Sequence, residues 1–274
     1  MAVACERPQE CGEPLGRFSV ADITAIIQAR GVIPMISSST VRRWLQELAI
    51  KPWQVRSWVF PRDPAFELKA GIVLDLYQGY WQGQPLGPND IVLCADEKTC
   101  LQALRRHRVV GPSCHHGTLV DSDYLRTGTV AYLTVLNVFQ GTVMGKVVPK
   151  TGIVPFDTFV AEVMAREPCR SADRVFWVVD NGSSHDPRTF QARLSQHHTN
   201  AIAVHLPVHT SWLNQVEAYY SILQRKALTP NDFTSPEALA ERILDFQTRF
   251  NRTAEPFRWR FTKADLANYL KRVG

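Results

Sequence analysis

Apolar residues recur at helical intervals near both ends of this chain and in continuous runs through its middle, an order that separates a small helical front from a larger mixed region. From Ser19 a helix pattern passes through Ile23, Ile26 and Ile27 to Arg30, with Gly31 as its stop. Ser38, Ser39 and Thr40 offer caps for a second helix that keeps Val41, Leu45 and Leu48 on one side and Arg42, Arg43 and Gln46 on the other. Lys51-Pro52 ends it, and Trp53, Val55, Trp58 and Phe60 form an apolar stretch before Asp63-Pro64 opens a helix over about 65–80. Residues 82–90, with Gly and Pro, read as a loop. Beyond it the pattern predicts a strand Ile-Val-Leu-Cys-Ala ending at Asp96, a hairpin of 129–139 and 142–148 turning at Gln140-Gly141, and a helix over 156–165. There follow a strand over 174–179, a helix over 187–197, a strand over 201–206, and helices over 213–226 and 236–250. Hairpin strands first and alternating helix and strand afterwards predict an α/β fold, a mixed sheet with helices on both faces.

The 274 residues, 45% hydrophobic, suffice for one sizeable core and one small accessory module. The first seventeen residues, rich in Glu, Pro, Gly and Cys without periodicity, are expected to be a disordered leader. A helical module is expected over 18–60, a linker helix and loop over 61–90, and the mixed domain over 91–274. No apolar run approaches the roughly 18–20 residues of a membrane span, and no secretory signal opens the chain, so a soluble cytoplasmic protein is expected. Six cysteines without a Cys-x-x-Cys pair are expected to be reduced thiols, and Cys114-His115-His116 lacks the spacing of a zinc knuckle. A net charge of +5 is mild, but the basic residues cluster at Arg42-Arg43, Arg105-Arg106-His107-Arg108, Arg225-Lys226 and Arg258-Trp259-Arg260, as suits a polyanionic partner. A basic second helix in a helical pair matches a helix-turn-helix, whose second helix enters the major groove of DNA. Its reading face would present Ser39, Thr40, Arg42, Arg43 and Gln46.

Three acids carry the chemistry. Asp96 and Asp180 each close an apolar strand, and Glu217 stands in the first turns of a helix. A phosphodiester repels nucleophiles by its own charge, and a pair of Mg²⁺ or Mn²⁺ ions about 3.5–4 Å apart removes that obstacle. Hard cations of this kind take carboxylate and water oxygens, so acids from separate elements suffice. Asn214, three positions before Glu217, would share its helical face.

The blocks Cys-Ala-Asp96-Glu97-Lys98-Thr99, Val-Val-Asp180-Asn181-Gly-Ser-Ser-His185 and His209-Thr-Ser-Trp-Leu-Asn214-Gln-Val-Glu217 resemble those of DDE transposases of the mariner-like superfamily, in its bacterial insertion-sequence 630 branch. The 36 residues between the second and third acids (181–216) are close to the mid-thirties spacing of that superfamily. The resemblance implies an RNase H-like core with Asp96, Asp180 and Glu217 as catalytic metal ligands, and Glu97, Lys98, Asn181, His185 and Asn214 as supporting neighbours. It implies cleavage at transposon ends followed by transfer of the 3′-hydroxyl to target DNA. The implied partners are terminal inverted repeats, target DNA and a second copy of the chain, on DNA of the nucleoid. Such enzymes carry two helix-turn-helix modules ahead of the core, whereas 18–60 accommodates one, an incomplete reader. A catalytically silent DNA-binding remnant is the alternative function. Residues 105–126, behind the first acid, are either a clamp over DNA or a solvated loop.

Overall fold

The computed structural model describes residues 2–54 and 61–273. Two compact units divide the chain, with the boundary between Val59 and Phe60.

In the first unit, helix α1 (Ala2–Cys5) and a 3₁₀ turn (Pro8–Cys11) precede α2 (Val20–Ala29) and α3 (Ser38–Glu47). Ser19 caps α2 in a reciprocal box with Asp22, and Ser37, one residue ahead of the expected caps, accepts from the Thr40 amide at the start of α3. Val41 and Leu45 pack with Ile23 and Ile26, but Leu48, expected on that apolar side, is exposed. The expected disordered leader is ordered. Val3 and Ala4 are buried in the same small core as Phe18, and Glu6 pairs with Arg30. A few apolar anchors and one ion pair sufficed where no periodicity announced them. Residues 30–37 between α2 and α3 are longer than the three- or four-residue turn of a helix-turn-helix. The apolar stretch predicted through Val55, Trp58 and Phe60 lies outside the described residues.

The second unit begins with α4 (Phe66–Tyr77), a short hairpin of β1 (Tyr80–Trp81) and β2 (Gln84–Pro85), and the long strand β3 (Asp90–Arg106). Next come β4 (Val109–Val110), β5 (Leu119–Val120), β6 (Tyr124–Asn137), β7 (Val143–Val148), α5 (Ile153–Met164), β8 (Arg174–Val179), α6 (Phe190–His197), β9 (Ala201–His205), α7 (Val216–Lys226), α8 (Pro236–Asn251) and α9 (Lys263–Val273). Five strands form one sheet in the order β7-β6-β3-β8-β9. β6 pairs antiparallel with β3 and β7, and β8 pairs parallel with β3 and β9.

Alternation assigns the two sheet faces. Val92, Cys94, Phe176 and Val178 pack with α4, α7 and α8, while Ile91, Leu93, Ala95, Val175, Trp177 and Val179 pack with α5 and α6. Covered on both faces, the two central parallel strands read as unbroken apolar runs. Three expectations are corrected here. Helix α4 is no linker: Ala70, Val73 and Leu76 are fully buried in the larger core. The loop expected over 82–90 contains half of a hairpin. β3 does not stop at Asp96 but runs on to Arg106, through an irregularity between Lys98 and Leu101 where Cys100 has φ 54°. Polar residues beyond Asp96 concealed this extension, which is held by β6 on one side and by Asn231 and Asp232 on the other. The final helix α9 was also unanticipated. All six cysteines are free thiols. Among the described residues, no helix is long and apolar enough to cross a membrane.

Candidate active site

Strand parity and register bring the first two acids together. Cys94 stands opposite Val178 in the parallel β3–β8 pair. Two residues further along each chain stand Asp96 and Asp180, on the face covered by α7, where adjacent strands lie about 4.8 Å apart. One ligand atom each from Asp96, Asp180 and His185 can be chosen so that all lie within 4.8 Å of one another. Among the described residues no other group of three or more His, Cys, Asp or Glu meets that condition. Glu217, in the first turn of α7, lies outside this tight group but acts electrostatically on both aspartates' surroundings.

The second acid is held by its own loop. Gly182 N–H donates to Asp180 Oδ1 at 2.7 Å, and His185 Nδ1 lies 3.0 Å from the same oxygen and 3.1 Å from the Asp180 carbonyl. Burial opposes the charge on Asp180, yet the His185 ring and Gly182 amide outweigh it and hold its carboxyl below the usual range. Burial likewise opposes protonation of His185, and Asp180 reverses this, raising the imidazole above its ordinary value. The ring is wedged between Phe156 and Phe190, and its backbone carbonyl meets His205 Nε2 at 2.9 Å.

Asp96 is the opposite case. Burial, joined by the charges of Asp180 and Glu217, pushes its carboxyl up to about 7 against one opposing amide, that of Glu97 at 2.7 Å. Burial also raises Glu217, with Lys98 opposing. Glu97 points to the other sheet face, where burial raises it and Ser184 opposes; its Oε1 is buried without a hydrogen-bond partner. Asp96 and Glu217 resist ionisation beside an Asp180 that is held ionised, a concentration of negative charge that a divalent cation would balance. Because His185 Nδ1 is engaged by Asp180, the remaining donors facing the cluster are hard oxygens, which fit Mg²⁺ or Mn²⁺.

The third block adopts a geometry that helical spacing did not anticipate. Residues Ser211–Leu213 form a 3₁₀ turn and α7 starts only at Val216, so Asn214 precedes the helix instead of sharing a face with Glu217. Asn214 is buried, and its Nδ2 donates to the Ala95 carbonyl at 2.9 Å. On the next residue of β3, the Asp96 carbonyl accepts from the Tyr220 hydroxyl at 2.8 Å. Two side chains flanking Glu217 thereby lock the helix of the third acid onto the backbone of the first. Lys98 sits on the same face as Asp96, 5.4 Å above the Tyr220 ring. Asn181 donates to the Leu206 carbonyl and ties the Asp180 loop to the end of β9. Sequence reasoning passed over Tyr220, Gly182 and His205; the only signal for Tyr220 was its position three residues after Glu217, one helical turn on.

In the first unit, Ser39, Arg42, Arg43 and Gln46 are exposed on α3, while Thr40 is partly covered and bonded to Ser37.

A five-stranded mixed sheet whose two central parallel strands bring one acid from within β3 beside another just past the end of β8 is an RNase H-like catalytic architecture. The DDE superfamily endonuclease family matches residues 91–240, more than half of the chain, and the protein belongs to that family. The fold is similar to that of the Mos1 mariner paired-end complex with Mn, at a TM-score of 0.58 and 17% identity, covering 96% of this chain and 80% of that one. The Mos1 paired-end complex with the left transposon end gives 0.57 and 15% over the same shares, and the Mos1 strand transfer complex 0.55 and 16% over 96% and 79%. No curated protein sequence matches the chain significantly.

Proposed function

We propose that the protein is a transposase that cleaves DNA at transposon ends and joins the freed 3′-hydroxyl to target DNA, with Asp96, Asp180 and Glu217 as its catalytic acids. The observation that carries this reading is the convergence of Asp96 and Asp180 on one sheet face beneath the helix that presents Glu217. Membership of a DDE endonuclease family and the likeness to Mos1 assemblies with paired transposon ends, Mn and Mg support it.

In this reading the three carboxylates hold Mg²⁺ or Mn²⁺, as two ions. When bound, such ions activate water and stabilise charge on the attacking and leaving oxygens of a phosphodiester. His185 keeps Asp180 ionised and aimed, through its ring nitrogen and the geometry of the Gly182 turn. Asn214 and Tyr220 fix the distance from α7 to β3. Lys98, on the same face as Asp96, contacts the phosphate and offsets the charge of Glu217. Ser39, Thr40, Arg42, Arg43 and Gln46 of α3 contact terminal-repeat DNA, and the two ends are held by a homodimer.

The test is nicking of supercoiled plasmid and of inverted-repeat duplexes by the purified chain with Mg²⁺ or Mn²⁺. Wild type should nick, and EDTA, Asp96→Asn, Asp180→Asn or Glu217→Gln should abolish nicking while the thermal transition remains cooperative. Nicking that survives chelation or these substitutions refutes the assignment. DNA binding without any cleavage would favour the silent remnant.

A further inference from the structure

The turn that carries His185 is gripped from behind by one arginine. Arg193 of α6 aims three nitrogens at three separate segments: Nε donates to Asp157 Oδ2 of α5 at 2.9 Å, Nη1 to the Thr189 hydroxyl at 2.8 Å, and Nη2 to the Ser184 carbonyl. Its guanidinium also lies over the Phe190 ring, 5.5 Å from the centroid. Helices α5 and α6 thereby each bring one aromatic ring and one charge to the same turn. Phe156 and Phe190 flank the His185 ring, while Asp157 and Arg193 pair with each other.

The Ser184 carbonyl belongs to the peptide group that leads into His185. The N–H of the same planar group donates to the Gly182 carbonyl at 3.1 Å, so the peptide is pinned at both ends. Ser184 and His185 are both buried, and a buried carbonyl requires a donor. The space around the turn is tight as well: a Cβ at Gly182 would stand 2.9 Å from His185 Cε1 and 3.0 Å from Asp180 Oδ1. A tilt of the peptide is therefore passed through the imidazole to the carboxylate it meets at 3.0 Å. An ion pair as open as Arg193–Asp157 adds little to stability by itself. What sets it apart is the third bond, to the backbone next to His185.

We propose that Arg193 is a positioning residue of the active site: anchored by Asp157, it fixes the peptide ahead of His185 and so holds the Asp180 carboxylate in one orientation toward its metal ion. The inference rests on the functional reading above for the metal that Asp180 would hold. Lysine cannot take over this role. It keeps the charge opposite Asp157, but its single nitrogen cannot meet α5, Thr189 and the Ser184 carbonyl together as a planar fork does. A partner standing behind a metal ligand acts on metal affinity by orienting that ligand, which separates this role from general support of the fold. The Arg174–Asp90 pair supplies the comparison, since it joins the same two central strands at their beginnings, six residues before Asp180 and Asp96.

The experiment titrates Mn²⁺ into the purified full chain without DNA, by calorimetry, and follows thermal unfolding in EDTA, for wild type, R193K and the control R174K. R193K is expected to bind Mn²⁺ about tenfold more weakly than wild type, and the Mn²⁺ concentration giving half-maximal nicking should rise by the same factor. R174K should melt lower and keep the wild-type Mn²⁺ affinity. Wild-type affinity in R193K overturns the assignment, whatever its melting temperature. An equal loss of affinity in R193K and R174K overturns it too, because general loosening of the fold then explains both. Should R193K fail to fold, D157N, which keeps the guanidinium and loosens its anchor, is read by the same titration; a loss of about tenfold is expected, and wild-type affinity refutes. If wild type binds Mn²⁺ and nicks DNA while R193K titrates as wild type, the positioning role alone is wrong. If wild type neither binds Mn²⁺ nor nicks, the functional reading falls and this inference with it.

Discussion

Tyr220→Phe isolates one hydroxyl in the lock between the first and third acids. The ring stays buried and Lys98 keeps its aromatic partner, so the substitution removes the hydroxyl alone, and with it the 2.8 Å hydrogen bond to the Asp96 carbonyl. A carbonyl closed off from water and deprived of its donor costs about 1–3 kcal/mol. In a unit of this size each kcal/mol lowers the melting temperature by about 2–4 °C, so a drop of about 2–12 °C is expected. The same loosening should reduce nicking, since catalytic groups displaced by about 1 Å lose roughly a hundredfold in rate. Thermal denaturation followed by circular dichroism measures the first effect, and single-turnover nicking at saturating metal and DNA measures the second. Phenylalanine at 220 with an unchanged melting temperature and unchanged rate would refute the idea that this bond couples α7 to β3. A lowered melting temperature with an unchanged rate would leave the bond structural only.

Three further outcomes follow from other parts of the second unit. Asp90 is a buried carboxylate bonded to Arg174 and to the Gly87 amide, and Arg174 chiefly holds its pKa below the ordinary value. Its contribution is complete above the unfolded carboxyl pKa of about 4 and fades as pH falls through the lower folded value; Asp90→Asn should therefore melt below wild type at neutral pH, with the gap closing in acid. Gly141→Ala should destabilise by at least about 1–3 kcal/mol in urea denaturation, because φ is 70° and a Cβ would stand 2.1 Å from the Glu255 carbonyl oxygen. In EDTA at pH 8, above the Asp96 pKa of about 7, Asp96→Asn should melt above wild type, since the raised carboxyl costs stability once ionised; added Mn²⁺ should raise the melting temperature of wild type and leave the variant behind.

Much of this fold was legible because its signals were local. The strand at 174–179 and the helix at 236–251 are bounded by residues whose periodicity or capping is visible in the chain itself. Asp96 and Asp180 were legible because each follows a continuous apolar run, and parallel strands buried on both faces have that character. What escaped was contact between distant segments. Asn214 looked like a helical neighbour of Glu217, but its destination, the Ala95 carbonyl, depends on the tertiary docking of α7. Helix α4 looked like a connector because it precedes the Gly- and Pro-containing stretch 82–90, and only the sheet gives its apolar side a surface to cover. The ordered first residues escaped similarly, since Glu6 is unremarkable until Arg30 lies beside it.

The length of β3 has a mechanical consequence. Asp96 sits partway along a continuous beam, with an overhang of ten more residues that spans about 33 Å if fully extended. Asn231 and Asp232 clamp that overhang just beyond the foot of α7, on backbone groups of Gln102, Leu104 and Arg106. A load applied at the far tip, near His107 to Asp123, meets this clamp first and must then cross the irregular joint at Cys100, with its left-handed backbone, before it reaches the first acid. Stiffness of that joint sets how much of any disturbance at the tip arrives at the carboxylate.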